Sequence, residues 1–162
     1  MKVLVCAASK HGATTEIAAE IGAALHALGV EAAVLAPSEV TSFAGYDAAV
    51  IGSAVYVGRW METAKELVER HQEELRAIPV WLFSSGPIGD PPKPVEDAVD
   101  AAPLVALVGA RGHRTFAGEV VRARLGFGEK AIMAAVRAPE GDFRPWGQIE
   151  AWAREIAGAL RG

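Results

Sequence analysis

Close to the start of the chain, a hydrophobic run gives way to Ser9-Lys10-His11-Gly12-Ala13-Thr14-Thr15. If a helix starts at Thr14 or Thr15, this loop delivers a strand end to a helix N-terminus. Unpaired N–H groups and the positive end of the helix dipole collect there, a setting that suits an anion. Ser9 and Thr14 add hydroxyl donors on either side of Gly12, which lets the backbone approach a ligand closely. The plainer reading is a strand-to-helix turn with Thr14 or Thr15 as its N-cap. The spacing excludes several phosphate sites. There is no GxxxxGK[ST] loop and no GxGxxG after the first strand. No acidic pair stands there to hold magnesium, and no arginine closes a phosphatase-type loop after Cys6. The ligand left for such a loop is a monophosphate.

Two further segments combine small residues with hydroxyls. Ser53-Ala54-Val55-Tyr56-Val57-Gly58-Arg59-Trp60 holds two aromatics, which either face a ligand or fasten the segment to the helix behind it. Ser84-Ser85-Gly86-Pro87-Ile88-Gly89-Asp90 is dense in Gly and Pro and reads as a loop. Neither serine sits in GxSxG, so a hydrolase elbow is absent. His11, His26, His71 and His113 are scattered, without HExxH or Cys/His zinc spacing. The lone cysteine, Cys6, lies in an apolar run and reads as a small core residue with no intramolecular disulfide. No catalytic side chain and no metal site is expected.

The elements that must position these loops follow from periodicity. Residues 2–8 form a continuous apolar run, as in a strand buried on both faces. From 14 or 15 to 28, Ile17, Ala18, Ile21, Ala24, Leu25 and Leu28 recur at helical spacing, and Gly29 stands just past the end. Strands are expected at 31–36, 48–53, 80–84 and 113–117. An amphipathic helix is expected over 60–75, a short one within 97–107, and a closing one over 146–160. Alternating strands and helices with short connections predict an α/β doubly wound parallel sheet with helices on both faces. Ligands of such sheets bind outside the carboxyl ends of the strands, where strand order reverses. All three loops follow such ends.

A chain of 162 residues, 51% hydrophobic and 22% charged, fits a single domain spanning 1–162. The net charge of −4 gives no field that would gather nucleic acid. Residues 111–144 nonetheless carry seven Lys or Arg against four Asp or Glu, a local +3 that leaves the rest of the chain at −7. No stretch of about 18 apolar residues offers a spanning helix. The opening MKVLVCAAS is interrupted too early for a signal peptide, so a cytoplasmic location is expected.

The loop Ser9-Lys10-His11-Gly12-Ala13-Thr14 resembles the [ST]-x-x-G-x-T phosphate loop that flavodoxins and their relatives carry directly after strand one. That resemblance implies a flavodoxin-like, five-stranded sheet of order 2-1-3-4-5 and FMN as a non-covalent cofactor that exchanges electrons. It also implies that Ser9, Lys10, His11, Gly12, Ala13 and Thr14 wrap the phosphate. Ser53, Ala54, Val55, Tyr56, Val57 and Gly58 would then lie along the isoalloxazine, with Tyr56 stacked on it. Ser84, Ser85, Gly86, Pro87 and Gly89 would form the opposite wall.

Within that family the chain is similar to the short branch that includes menaquinone-dependent protoporphyrinogen oxidase. The features are the 9–15 loop, the phrase Ile51-Gly52-Ser53-Ala54-Val55-Tyr56-Val57-Gly58 before a helix with Lys65 and His71, and the closing Trp152-Ala153-Arg154-Glu155-Ile156-Ala157. The branch implies a redox partner protein or a small acceptor such as a quinone. It also implies peripheral membrane contact through the basic, partly apolar segment 118–144. A solvated loop is the other reading of that segment, which has few aromatics. Two alternatives to a simple electron carrier stand beside it: an oxidase-like dehydrogenase, and a binding module that has lost FMN.

Overall fold

In β1 (Lys2–Ala8) strand alternation divides a continuous apolar run between two cores. Val3, Val5 and Ala7 join one, and Leu4, Cys6 and Ala8 join the other. The computed structural model describes residues 1–9, 12–56, 59–86, 101–117, 119–120, 141–142 and 145–161. Among the expected site residues, Lys10, His11, Val57, Gly58, Pro87 and Gly89 lie outside the described residues. So does most of the 118–144 segment.

β1 pairs in parallel with β2 (Glu31–Leu35) and β3 (Ala48–Tyr56). β3 pairs in parallel with β5 (Val80–Gly86), and β5 with β6 (Gly112–Ala117). β4 (Arg59–Trp60) folds back antiparallel onto β3. The sheet order is therefore β2-β1-β3-β5-β6, the expected 2-1-3-4-5 once the short β4 is set aside. β7 (Glu119–Val120) and β8 (Gly141–Asp142) form a separate antiparallel pair.

One face of the sheet is covered by α1 (Ala13–Ala27) and α5 (Trp146–Arg161). Ile17, Ile21 and Leu25 of α1 and Ile149, Trp152 and Ile156 of α5 meet Val5, Val50 and Phe83 there. The other face carries α2 (Glu62–Arg70), α3 (Gln72–Arg76) and α4 (Ala101–Val108). Ala64, Leu67, Leu75, Leu104 and Val108 pack there on Leu4, Ile51 and Leu82. Each buried Leu, Ile or Phe contributes about 1.5–3 kcal/mol of transfer free energy.

Three local features differ from the periodicity. The expected 60–75 helix breaks at His71, which ends α2 and precedes α3. There His71 Nδ1 meets Glu74 Oε1 at 2.9 Å. The other oxygen of Glu74 accepts from the Ser42 hydroxyl at 2.7 Å and the Phe43 amide at 3.1 Å. Anchoring the 42–43 loop outweighs helix continuity at this point. β3 and β5 also run past their expected ends, to Tyr56 and Gly86. Much of what reads as loop in 53–60 and 84–86 is thus sheet, because both strands have neighbours to pair with.

Packing at Gly52 of β3 explains why that position has no side chain. A Cβ there would run into the Phe83 ring from the adjacent strand. Phe83 stands edge-on to Trp152 at 6.0 Å, and Trp152 edge-on to Phe116 at 5.6 Å. The three rings lock β5, β6 and α5 together.

Candidate functional site

The register brings the expected loops side by side. Ala8 pairs with Ser53, Ser53 with Ser84, and Ser84 with Thr115, a single row across the carboxyl ends of β1, β3, β5 and β6. Neighbouring strands lie about 4.8 Å apart. Ser9, the residue after Ala8, therefore leaves the sheet beside the segment that starts at Ser53, and that segment borders Ser84 and Ser85.

At the first of these ends, Gly12 is the N-cap of α1, with φ +90° and ψ −15°. Its amide donates to Ser9 Oγ at 2.9 Å, folding the strand end over the helix start. A glycine N-cap offers no side chain, and α1 has no side-chain cap hydrogen bond. The amides of its first turn have no carbonyl four residues back inside the helix. A Cβ on Gly12 would meet nothing within 4 Å, so the space beside the loop is open. Thr14 is buried at the same turn. Amides and a dipole end facing open space form a donor set that fits a phosphate.

The other two ends present backbone more than side chains. Ser53 is fully buried, accepting the Met61 amide at 2.9 Å and donating to the Ala54 carbonyl at 2.8 Å. Its hydroxyl thereby ties the start of α2 to β3. Ser84 is equally buried, with its Oγ 2.8 Å from the indole nitrogen of Trp60 and 2.9 Å from Nε2 of His113. Trp60, 4% exposed, thus ties β4 to β5, whereas the sequence left it to face a ligand or to fasten the segment to the helix behind it. Val55 lies opposite Trp60 and Tyr56 opposite Arg59 in the β3–β4 pair. Ser85 is buried and Gly86 half-buried at the end of β5.

Sequence reasoning missed His113, which lies in a polar pair with a site residue. Its signal was present in the strand alternation: His113 and Thr115 share a face opposite to Phe116, the face on which Ser84 lies. Cys6 is buried, and burial pushes its thiol up to about 12, which removes it from nucleophilic chemistry. Among the described residues no group of three His, Cys, Asp or Glu could hold a metal ion. No helix among them is long and apolar enough to cross a membrane.

Residues 4–144 match the family model described as "Flavodoxin domain". The chain belongs to the flavodoxin domain family. Membership implies FMN as its cofactor. Among solved structures, a flavodoxin from the domain Archaea matches with a TM-score of 0.67 at 16% identity, covering 100% of both chains. Rubredoxin oxygen:oxidoreductase from Desulfovibrio gigas matches with a TM-score of 0.69 at 13% identity, over 99% of this chain and 36% of that one. At these identities the likeness is one of fold. Protoporphyrinogen IX dehydrogenase [quinone] of Escherichia coli K12 is 30% identical over 86 residues, 52% of this chain and 48% of that protein. The chain thus matches about half the length of that curated relative.

Proposed function

We propose that this chain is a cytoplasmic electron carrier that holds FMN non-covalently along the carboxyl edge of its sheet. The observation that carries the reading is the N-terminus of α1. Its N-cap Gly12 leaves the first turn without a side-chain cap, in open space, just after the end of β1, which pairs with β3.

In this reading Ser9, Gly12, Ala13 and Thr14, with Lys10 and His11, hold the phosphate. Backbone from Ser53 to Gly58 lies along one side of the ring, with Tyr56 offering its flat face. Backbone from Ser84 to Gly89 closes the other side. FMN, when bound, supplies the redox chemistry, taking up and giving out electrons. The protein's part is to fix the phosphate through amides and hydroxyls and to exclude water from the ring. The engaged hydroxyls of Ser53 and Ser84 set the shape of those walls instead of contacting the ligand.

The partial match to the E. coli dehydrogenase supports a quinone as the acceptor to test first, ahead of a protein partner. The basic segment 118–144 adds an expected contact with anionic membranes, which co-sedimentation with acidic vesicles examines.

Titration with FMN and with riboflavin, followed by quenching of flavin fluorescence, tests the site. Riboflavin has the ring without the phosphate. FMN should bind far more tightly, and equal affinities would remove the phosphate role from the Ser9–Thr14 loop.

A further inference from the structure

Given the placement of FMN proposed for this sheet edge, we infer that Trp60 is a positioning residue. By donating to Ser84 it pins the β3–β4 hairpin to β5 and presets the wall along which the flavin ring lies. Ser53 and Ser84 are register partners on β3 and β5, and both are fully buried. Strand alternation puts them on the face of the sheet that carries Ile51 and Leu82. Each serine grips one of two consecutive residues. Ser53 Oγ accepts the Met61 amide at 2.9 Å, and Ser84 Oγ accepts the Trp60 indole N–H at 2.8 Å.

The two anchors differ in what they join. Ser53 and Met61 flank the hairpin, so their bond closes it on itself. The Trp60 bond crosses to β5, whose end is assigned to the opposite wall of the pocket. β4 is only two residues long, and it pairs with β3 through Val55 and Tyr56. So short a hairpin holds little position by its ladder alone. Its place is set by the indole, which is 4% exposed and belongs to the same core as Ala64 and Leu67. Lifting the hairpin would expose that ring and break the bond to Ser84, so the wall stands ready before a ligand arrives. A wall ordered in advance leaves less ordering to be done on binding.

The effect should reach the ring and spare the phosphate. The amides assigned to the phosphate belong to the start of α1, which packs on the opposite face of the sheet from Trp60. Opening of the hairpin and seating of the ring exclude one another, so by linkage a bound ring must lower the open population.

Hydrogen exchange of the Trp60 indole N–H in the unaltered chain reads that opening directly. FMN at about 100 times its dissociation constant should slow the exchange by at least about tenfold. Inorganic phosphate, which lacks the ring, should leave it unchanged. Trp60→Phe removes the N–H and keeps an aromatic ring, and it should weaken FMN and riboflavin by the same factor, about tenfold. A purely structural role would lower the melting temperature of the flavin-free variant and leave both affinities at the parent's values, which overturns the inference. So does a loss confined to FMN. Unchanged indole exchange with FMN bound also overturns it, leaves the flavin reading intact, and decides the matter even where the variant does not fold. Failure of the unaltered chain to bind either flavin overturns both.

Discussion

The amide of Gly12 donates to Ser9 Oγ at 2.9 Å, so the residue that follows the first strand and the residue that caps the first helix are held in one turn. With φ at +90°, Gly12 occupies backbone space that a side chain makes costly, and an added Cβ would touch nothing. Gly12→Ala should therefore destabilise the fold through backbone strain alone, by about 1–2 kcal/mol. Thermal unfolding of the two proteins measures it. A variant as stable as the parent would mean that the loop tolerates another conformation.

Thr14 sits buried in the first turn of α1, beside the amides assigned to the phosphate. Thr14→Val keeps the shape and removes the hydroxyl. FMN affinity should fall by about 1–3 kcal/mol, the cost of leaving a charged acceptor short of one hydrogen bond. Unchanged affinity would detach Thr14 from the ligand.

Phe83 covers Gly52 so closely that a methyl group has no room. Gly52→Ala should destabilise by about 1–3 kcal/mol through overpacking of the Phe83, Phe116 and Trp152 cluster. Adding Phe83→Leu should recover part of the loss, because the two changes share one space. Simple additivity in denaturant unfolding would show that the strain lies elsewhere.

Glu74 accepts from the Ser42 hydroxyl, and this bond, followed by that to His71, holds its carboxyl below the ordinary value of 4.5. A depressed carboxyl stabilises above its unfolded value, and that contribution drains away as pH falls through the lower folded value. Glu74→Gln should therefore be less stable than the parent at neutral pH, with the gap closing well below pH 4.5. Urea unfolding at both pH values tests this. A gap independent of pH would assign the effect to packing.

Cys6 offers a probe of the whole sheet, since its thiol is buried in the core with its titration raised to about 12. Thiol reagents should label it only as fast as the protein opens. Rapid labelling of the native chain would contradict the burial of β1.

The legible part of the fold was the part with strong periodicity. β1 spans Lys2–Ala8 as its unbroken apolar run requires, and the parallel sheet follows from alternation, whereas its strand order was implied by the flavodoxin resemblance. What escaped was decided by contacts distant in sequence. The break at His71 depends on Glu74 reaching Ser42 and Phe43. The role of Ser84 depends on Trp60 and His113, 24 and 29 residues away. A serine at a strand end looks the same in sequence whether it faces a ligand or supports the strand beside it.

The visible absorption spectrum of the purified chain, recorded after adding FMN and desalting, bears on the whole reading. Flavin bands that remain with the protein, with released cofactor identified as FMN, are the expected result. A colourless protein that lets all FMN pass would contradict the flavin site at this sheet edge and leave a flavodoxin fold used for binding something else.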